Sequence, residues 1–417
     1  MRVRGGRPLE GTVRVPAAKN SVLPLLAAGL LCSGPVTLRQ VPELSDVQAS
    51  LALLRGLGCA AERQGSSVIL DPAGVCTGSV PAGPARSMRS SVFYLAPLLH
   101  RMGRVAMPMP GGCDLGPRPI DIHLDGLVRM GAQVLWEKST LTLRAERGLR
   151  GIDYTLRLPS VGATETLLMA ASRAAGVTVL RGAACEPEIA DLADFLRRCG
   201  AQITGDGTPT VVVHGVRELS GAAFTPMPDR ITAATLACAA AAAGGRVRLQ
   251  GCRPEQFRPV LELLRRAGCG VETGYRWAEV ERSCRLRSPG DLCTGGYPGF
   301  PTDAAPLAAA ALLTASGESL LRDQIFEHRF ACAAGFARMG AGVQCEGRCL
   351  RIRGVEALHG AEVEAPDLRG GAALVLAALS ADGESRIGGM QHIRRGYPVP
   401  GHLLAALGAD VCTIREE

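Results

Sequence analysis

Six glycines, Gly58, Gly131, Gly200, Gly268, Gly340 and Gly408, follow one another at separations of 73, 69, 68, 72 and 68 residues. Each closes a similar run: LALLRGLGCAAE, HLDGLVRMGAQV, LADFLRRCGAQI, VLELLRRAGCGV, AAGFARMGAGV and HLLAALGADV. A steady period of this size predicts repeated copies of one supersecondary unit. Within the runs apolar residues recur at helical spacing, as at Phe257, Val260, Leu261, Leu264 and Ala267. Glycine directly after such a run predicts a helix C-terminus that turns through left-handed backbone, which a side chain resists.

Upstream of each run lies a second helix, rich in Ala and Leu, over 21–32, 90–100, 163–175, 231–243, 304–315 and 371–380. These segments are apolar nearly all round, which predicts burial rather than a surface position. Runs such as GPVTLRQV and GVTVLRG follow them and read as strands. The reading is an α/β chain of six units of about 70 residues, three per domain, with a crevice between the halves suited to a large ligand.

Composition narrows the function. The 417 residues are 47% hydrophobic and 20% charged, and no unbroken apolar stretch is long enough to span a membrane. The first residues, MRVRGGRPLEGTVRV, alternate like a strand and carry no apolar h-region, so the expected location is the cytoplasm. The 15 cysteines show no C-x-x-C spacing, which predicts thiols in a reducing compartment and no zinc. The net charge of +7 has no basic block and few aromatics to interleave with one. It suits small anionic substrates better than nucleic acid. Of 46 basic residues only Lys19 and Lys138 are lysines. Lys19, in VPAAKNSVLPLL, reads as functional, because a compact ammonium does what a guanidinium fork cannot. Lys138 reads as incidental.

Polar residues gather where the buried helices begin: Lys19-Asn20, Ser87–Ser90, Ser160–Thr164, Asp229-Arg230, Pro301–Asp303 and Asp367–Arg369. Free N–H groups and the positive end of the helix dipole favour anions there. Ser160 taken alone reads as an N-cap. The set together reads as a ring that binds a multiply anionic substrate. One segment fits no packing role: PGGCDLGPRPIDIH (110–123) places Cys113 among glycines and prolines.

In order and wording these segments resemble the enolpyruvyl transferase family, most closely its members that use UDP-N-acetylglucosamine. The pieces are AAKN (17–20), SMRSS (87–91), PGGCDLGPRPIDIHLDGL (110–127), PSVGAT (159–164), EPEIADLADFL (186–196), GFPTD (299–303), FEHRF (326–330), APDLRGGAALVLA (365–377) and HIRRGY (392–397). The resemblance covers nearly the whole chain. It implies an inside-out α/β barrel of two domains, each of three βαβαββ-like units. One domain would span 20–227, and the other 1–19 with 228–417.

The implied reaction moves the enolpyruvyl group of phosphoenolpyruvate to the 3-hydroxyl of UDP-N-acetylglucosamine and releases phosphate, in peptidoglycan precursor synthesis. By resemblance Cys113 is the proton donor on a mobile loop and the target of fosfomycin, and Asp303 is the base for the sugar hydroxyl. Lys19, Asn20, Arg118 and Arg395 would bind phosphate, and Arg329 and Arg369 the carboxylate. Lys19 and Arg395 also count as catalytic. Arg89, Arg118, Pro119, Ile120, Asp121 and Ile122 match positions around uridine. Ser160, Val161 and Gly162 match the diphosphate site, with Asp303 and Ile325 completing the sugar-nucleotide set. The resemblance implies no metal and no redox cofactor. For Glu186 and Glu188 a structural salt bridge reads as well as a site role.

Departures from the family pattern are Ala18, Thr232, Ala304-Ala305, His328, Gly370-Gly371, Arg394 and Pro398. They border the expected site without removing its acid, its base or its basic side chains, and they leave the acceptor open. Two alternatives stand beside the main reading: a divergent copy that binds a UDP-sugar and regulates, and transfer to another acceptor such as shikimate 3-phosphate.

Overall fold

The structure, a computed structural model, describes residues 1–111, 120–137, 139–397 and 401–412. All six glycines have positive φ, from 85° at Gly340 to 108° at Gly200 and Gly268. The same two hydrogen bonds close each helix. At Gly200, for example, its own N–H donates to Arg197 O and the next N–H, Ala201, donates to Leu196 O. This pair of hydrogen bonds satisfies carbonyls that the helix leaves open. The six helices so ended are Ser45–Gly56, Asp121–Arg129, Pro187–Arg198, Arg258–Ala267, Ala333–Arg338 and His402–Ala405. Three of them add an arginine strap across the turn: Arg55 Nε donates to Ala61 O at 2.8 Å, Arg197 Nη1 to Ile203 O at 3.2 Å and Arg265 Nε to Val271 O at 3.3 Å.

The six apolar helices are Lys19–Ala28, Leu95–Met102, Val161–Ser172, Arg230–Ala243, Ala305–Leu312 and Leu368–Ser380. Short 3-10 turns over Arg89–Tyr94 and Thr302–Ala304 lead into the second and fifth. Every residue from Ala163 to Ser172 and from Arg230 to Ala242 is buried. Alanine dominates Arg230–Ala243 because it is the best helix former and lets neighbouring helices approach closely. Of the polar residues expected just ahead of these helices, Ser160, Asp229 and Asp367 are N-caps, whereas Lys19 and Arg230 are first helical residues and Arg369 is a second. First-turn N–H groups have no intrahelical acceptor, so that turn can hold polar side chains at the end of an otherwise apolar rod.

The strands complete a βαβαββ unit. In the third repeat Asp153–Thr155 runs parallel to Val177–Arg181, which pairs antiparallel with Thr210–His214, which pairs antiparallel with Gln202–Thr204. Val211 and Val213 face the core while Thr210 and His214 do not, the alternation of a half-buried strand. Five described sheets repeat this four-stranded order, and a sixth has three strands with a parallel bridge from Ser79 to Ala106 in the fourth place.

Two compact units result. Among the described residues, one takes in 17–111 and 120–227; the other joins Met1–Pro16 to the chain from Pro228 onward. Each has its own hydrophobic core. In the first unit the closing strand Ala223–Phe224 pairs parallel with the early strand Val36–Leu38. In the second, Leu9–Arg14 pairs parallel with Gly245–Gln250, and Arg2–Arg4 lies between Glu384–Gly388 and Asp410–Cys412. The described cysteines are free thiols, and no described helix is long and apolar enough to cross a membrane.

Candidate active site

In the unit that contains the C-terminal half, Asp303 lies between two arginines. Arg329 Nη2 stands 3.2 Å from Asp303 Oδ1. Arg369 donates to Asp303 Oδ2 from Nε at 3.2 Å and from Nη2 at 3.1 Å. The three come from two repeats: Asp303 from the 3-10 turn before Ala305–Leu312 and Arg329 from the segment after strand Glu318–Arg322 belong to the fifth, and Arg369 from the first turn of Leu368–Ser380 to the sixth. Burial alone would push the Asp303 carboxyl up, but the charges of Arg369 and Arg329 outweigh it and hold the group far below the usual carboxylate range. Asp303 is therefore ionised.

Both arginines are held from behind, Arg369 by the Tyr397 hydroxyl, to which its Nη1 donates at 3.1 Å. Arg329, 1% exposed, donates from Nε to Thr302 Oγ1 at 2.9 Å and stacks over the Phe326 ring. The Thr302 hydroxyl donates to Asp323 Oδ2 at 2.5 Å, and Asp323 Oδ1 accepts from the backbone N–H groups of Ile325 and Phe326. One buried carboxylate thus orders Arg329, the residue before Asp303 and the loop that presents Ile325, whose side chain is exposed. Arg395 follows the short helix Met390–Ile393 in the same unit.

In the other unit Lys19 Nζ lies 2.7 Å from Asp46 Oδ2, with both side chains buried. Asn20 follows in the same helix turn and is part-exposed. A second group gathers around His123, which is 7% exposed and 2.9 Å through Nδ1 from Thr166 Oγ1. A Cβ on Gly162 would come within 3.2 Å of the imidazole Cε1, so glycine there lets the start of helix Val161–Ser172 meet the ring. Burial and then the nearby Arg89 charge push the His123 pKa down to about 3, against the pull of Asp121. The imidazole is neutral at physiological pH. Ile120 and Ile122 are buried beside it in sequence, and Asp121 pairs with Arg157. A cleft of about 660 Å³ is lined by Asp121, Ile122, Tyr154 and Arg157 among others. Ser160 caps its helix through the Ala163 N–H at 3.3 Å, and Val161 is the first helical residue.

Arg89, Asp121 and Gly162, expected at the nucleotide, thus share one neighbourhood, and Asp303, Arg329 and Arg369 share another. Cys113, Arg118 and Pro119 lie outside the described residues. Sequence reasoning missed His123, Asp46, Thr302, Asp323 and Tyr397. His123, Thr302 and Tyr397 stand inside quoted motifs, but Asp46 has no local signal, since its partner is in the preceding helix.

A model of the family described as EPSP synthase (3-phosphoshikimate 1-carboxyvinyltransferase) matches residues 3–399. The chain is 40% identical over 413 residues to UDP-N-acetylglucosamine 1-carboxyvinyltransferase 2 of Caldanaerobacter subterraneus subsp. tengcongensis, across 99% of each. It is 42% identical over 409 residues to UDP-N-acetylglucosamine 1-carboxyvinyltransferase of Solidesulfovibrio magneticus, across 98% of each. The chain belongs to the enolpyruvyl transferase family, among the UDP-N-acetylglucosamine 1-carboxyvinyltransferases. The crystal structure of the enolpyruvyl transferase NikO from Streptomyces tendae is similar at a TM-score of 0.88 and 26% identity, covering 98% of this chain and 97% of that one. An EPSP synthase from Acinetobacter baumannii shares the fold, at a TM-score of 0.72 and 23% identity over 99% of each chain.

Several departures of this enolpyruvyl transferase adjoin Asp303, Arg329 and Arg369 in sequence: Ala304-Ala305, His328 and Gly370. Thr232 is 1% exposed in the first turn of Arg230–Ala243, and its Oγ1 has no partner among the described residues. Ala304 and Ala305 are fully buried directly after Asp303. Gly371 could not be a larger residue without movement, since a Cβ there would be 2.7 Å from Ile393 Cγ1. Arg394 and His328 are exposed.

Proposed function

We propose that the protein transfers the enolpyruvyl group of phosphoenolpyruvate to the 3-hydroxyl of UDP-N-acetylglucosamine and releases phosphate, supplying peptidoglycan precursors in the cytoplasm. The observation that carries this reading is the identity of 40–42% along essentially the full length of relatives that bear that activity as their name. The Asp303 group supports it. An ionised carboxylate beside two fixed guanidiniums offers a base next to a docking place for a small dianion.

In this proposal the sugar hydroxyl adds to C2 of phosphoenolpyruvate while C3 gains a proton, and the tetrahedral adduct then loses phosphate from C2 and a proton from the C3 methyl group to leave the enol ether. Asp303 accepts the hydroxyl proton, and Arg329 and Arg369 hold the carboxylate. Lys19, Arg118 and Arg395 stabilise charge building on the phosphate, with Asn20 beside Lys19. Cys113 protonates the methylene carbon. Once a substrate carboxylate binds the remaining donors of the arginines, its charge weakens the field that keeps Asp303 acidic, and the basicity of Asp303 rises when a base is needed. Arg89, Arg118, Pro119, Ile120, Asp121 and Ile122 receive the uridine, and Ser160, Val161 and Gly162 the diphosphate at a helix N-terminus. Ile325 lies against the sugar nucleotide.

Phosphate release from phosphoenolpyruvate, measured with UDP-N-acetylglucosamine and separately with shikimate 3-phosphate, tests the proposal. Release with the first acceptor alone is expected. Release only with shikimate 3-phosphate moves the protein to the other activity. UDP-sugar binding without release, and without fosfomycin labelling of Cys113, identifies a regulator.

A further inference from the structure

We propose that Tyr397 is a positioning residue that fixes the Arg369 guanidinium for the incoming carboxylate; the inference rests on the reading of function above. Thr235 Oγ1 donates to Ile231 O at 2.7 Å, so its hydrogen is already used. The bond of 2.8 Å between Thr235 Oγ1 and Tyr397 Oη must then carry the tyrosine hydrogen. That leaves the Tyr397 oxygen as an acceptor, and Arg369 Nη1 donates to it at 3.1 Å. The guanidinium is thereby held on two sides, with Nε and Nη2 on Asp303 and Nη1 on Tyr397. These contacts use three of the five N–H donors of an arginine and leave two for a ligand.

Two close approaches place the tyrosine. A Cβ at Gly371 would lie 2.7 Å from Ile393, and one at Gly396 would lie 2.7 Å from Leu368. Both glycines let the segment 390–397 lie directly on the helix that carries Arg369. The Tyr397 N–H donates to Ile393 O at 3.1 Å, which completes the turn. The Arg369 guanidinium carbon is also 5.6 Å from the centre of the Tyr397 ring. The phenol thus acts through Arg369, as a fixed acceptor that a mobile water could not replace.

The experiment compares wild type, Tyr397→Phe, Thr235→Val and the double variant. Phenylalanine keeps the ring and removes only the oxygen. The expected result is a KM for phosphoenolpyruvate raised about tenfold, as for loss of a hydrogen bond to a charged group. The KM for UDP-N-acetylglucosamine and the melting temperature stay near wild type. Thr235→Val shifts the same KM less, and the double variant is no worse than Tyr397→Phe, because both act on one path. A second readout needs no turnover: the Arg369 Nε–H resonance exchanges faster with water in Tyr397→Phe, while Arg329 Nε–H, held by Thr302, does not change. An unchanged Arg369 resonance, or equal rises in both KM values, overturns the proposal. If wild type releases no phosphate with the sugar nucleotide, the functional reading fails, and the resonance comparison still decides the role of Tyr397.

Discussion

Lys19 Nζ and Asp46 Oδ2 stand 2.7 Å apart with side chains 9% and 5% exposed, a buried ion pair that joins the first two helices of the chain. Removing one member leaves the other charge buried against its own solvation, which costs about 3–5 kcal/mol. Asp46→Ala should therefore lose stability of that order in urea unfolding. Lys19→Met with Asp46→Leu should regain most of it while losing the function assigned to Lys19. A single variant as stable as wild type would contradict the pairing.

Asp303 makes a prediction in acid. Its folded-state pKa lies below the unfolded one, so its pairing with Arg369 and Arg329 stabilises the fold above the ordinary carboxylate pKa. That stabilisation fades as the pH falls through the acid range. The gap in stability between wild type and Asp303→Asn should accordingly narrow from pH 7 to pH 3. The same variant should lose about 10²–10⁴-fold in turnover if Asp303 is the base.

Glu165 behaves in the opposite sense. It is 2% exposed, its Oε1 has no partner among the described residues, and burial together with the nearby Glu188 and Glu186 holds its carboxyl well above the usual range. The folded state keeps a proton that the unfolded chain gives up, so stability falls as the pH rises above the unfolded carboxyl value, about 4.3 for glutamate. Glu165→Gln should match wild type near pH 4 and exceed it at pH 8, as read from urea midpoints. A constant difference across that range would show that Glu165 is ionised.

Gly200 and Gly268 both have φ of 108°, and a Cβ at either would meet nothing within 4 Å. Alanine there carries only the backbone penalty, about 1–2 kcal/mol. Gly200→Ala and Gly268→Ala should each destabilise by that amount without touching any contact. A larger loss at either position would point to packing that the open space does not suggest.

The helices were legible in the sequence to within a few residues, because apolar period and terminal glycine are local signals. Their starts were misplaced: Lys19, Arg230 and Arg369 interrupt the apolar pattern and yet belong to the first turn. Asp303, Arg329 and Arg369 were legible as candidates through motif resemblance, and the structure brings both arginines within hydrogen-bond reach of Asp303. The groups that hold them were not legible. Thr302 looks like a loop threonine and Asp323 like a surface acid until Arg329 and the Ile325 turn are placed around them.

By itself the sequence determined that six copies of one α/β unit would form, and where each amphipathic helix would stop, since both follow from spacing along the chain and from the backbone freedom of glycine. Only the tertiary structure decided that Arg2 pairs with Arg386 and Leu9 with Gly245, that Asp46 meets Lys19, and that Tyr397 takes a hydrogen bond from Arg369. Such partners lie tens to hundreds of residues apart. Strand pairing uses backbone groups that every residue carries, and a buried polar side chain takes its partner from whatever packing brings within reach; neither leaves a mark on the local sequence.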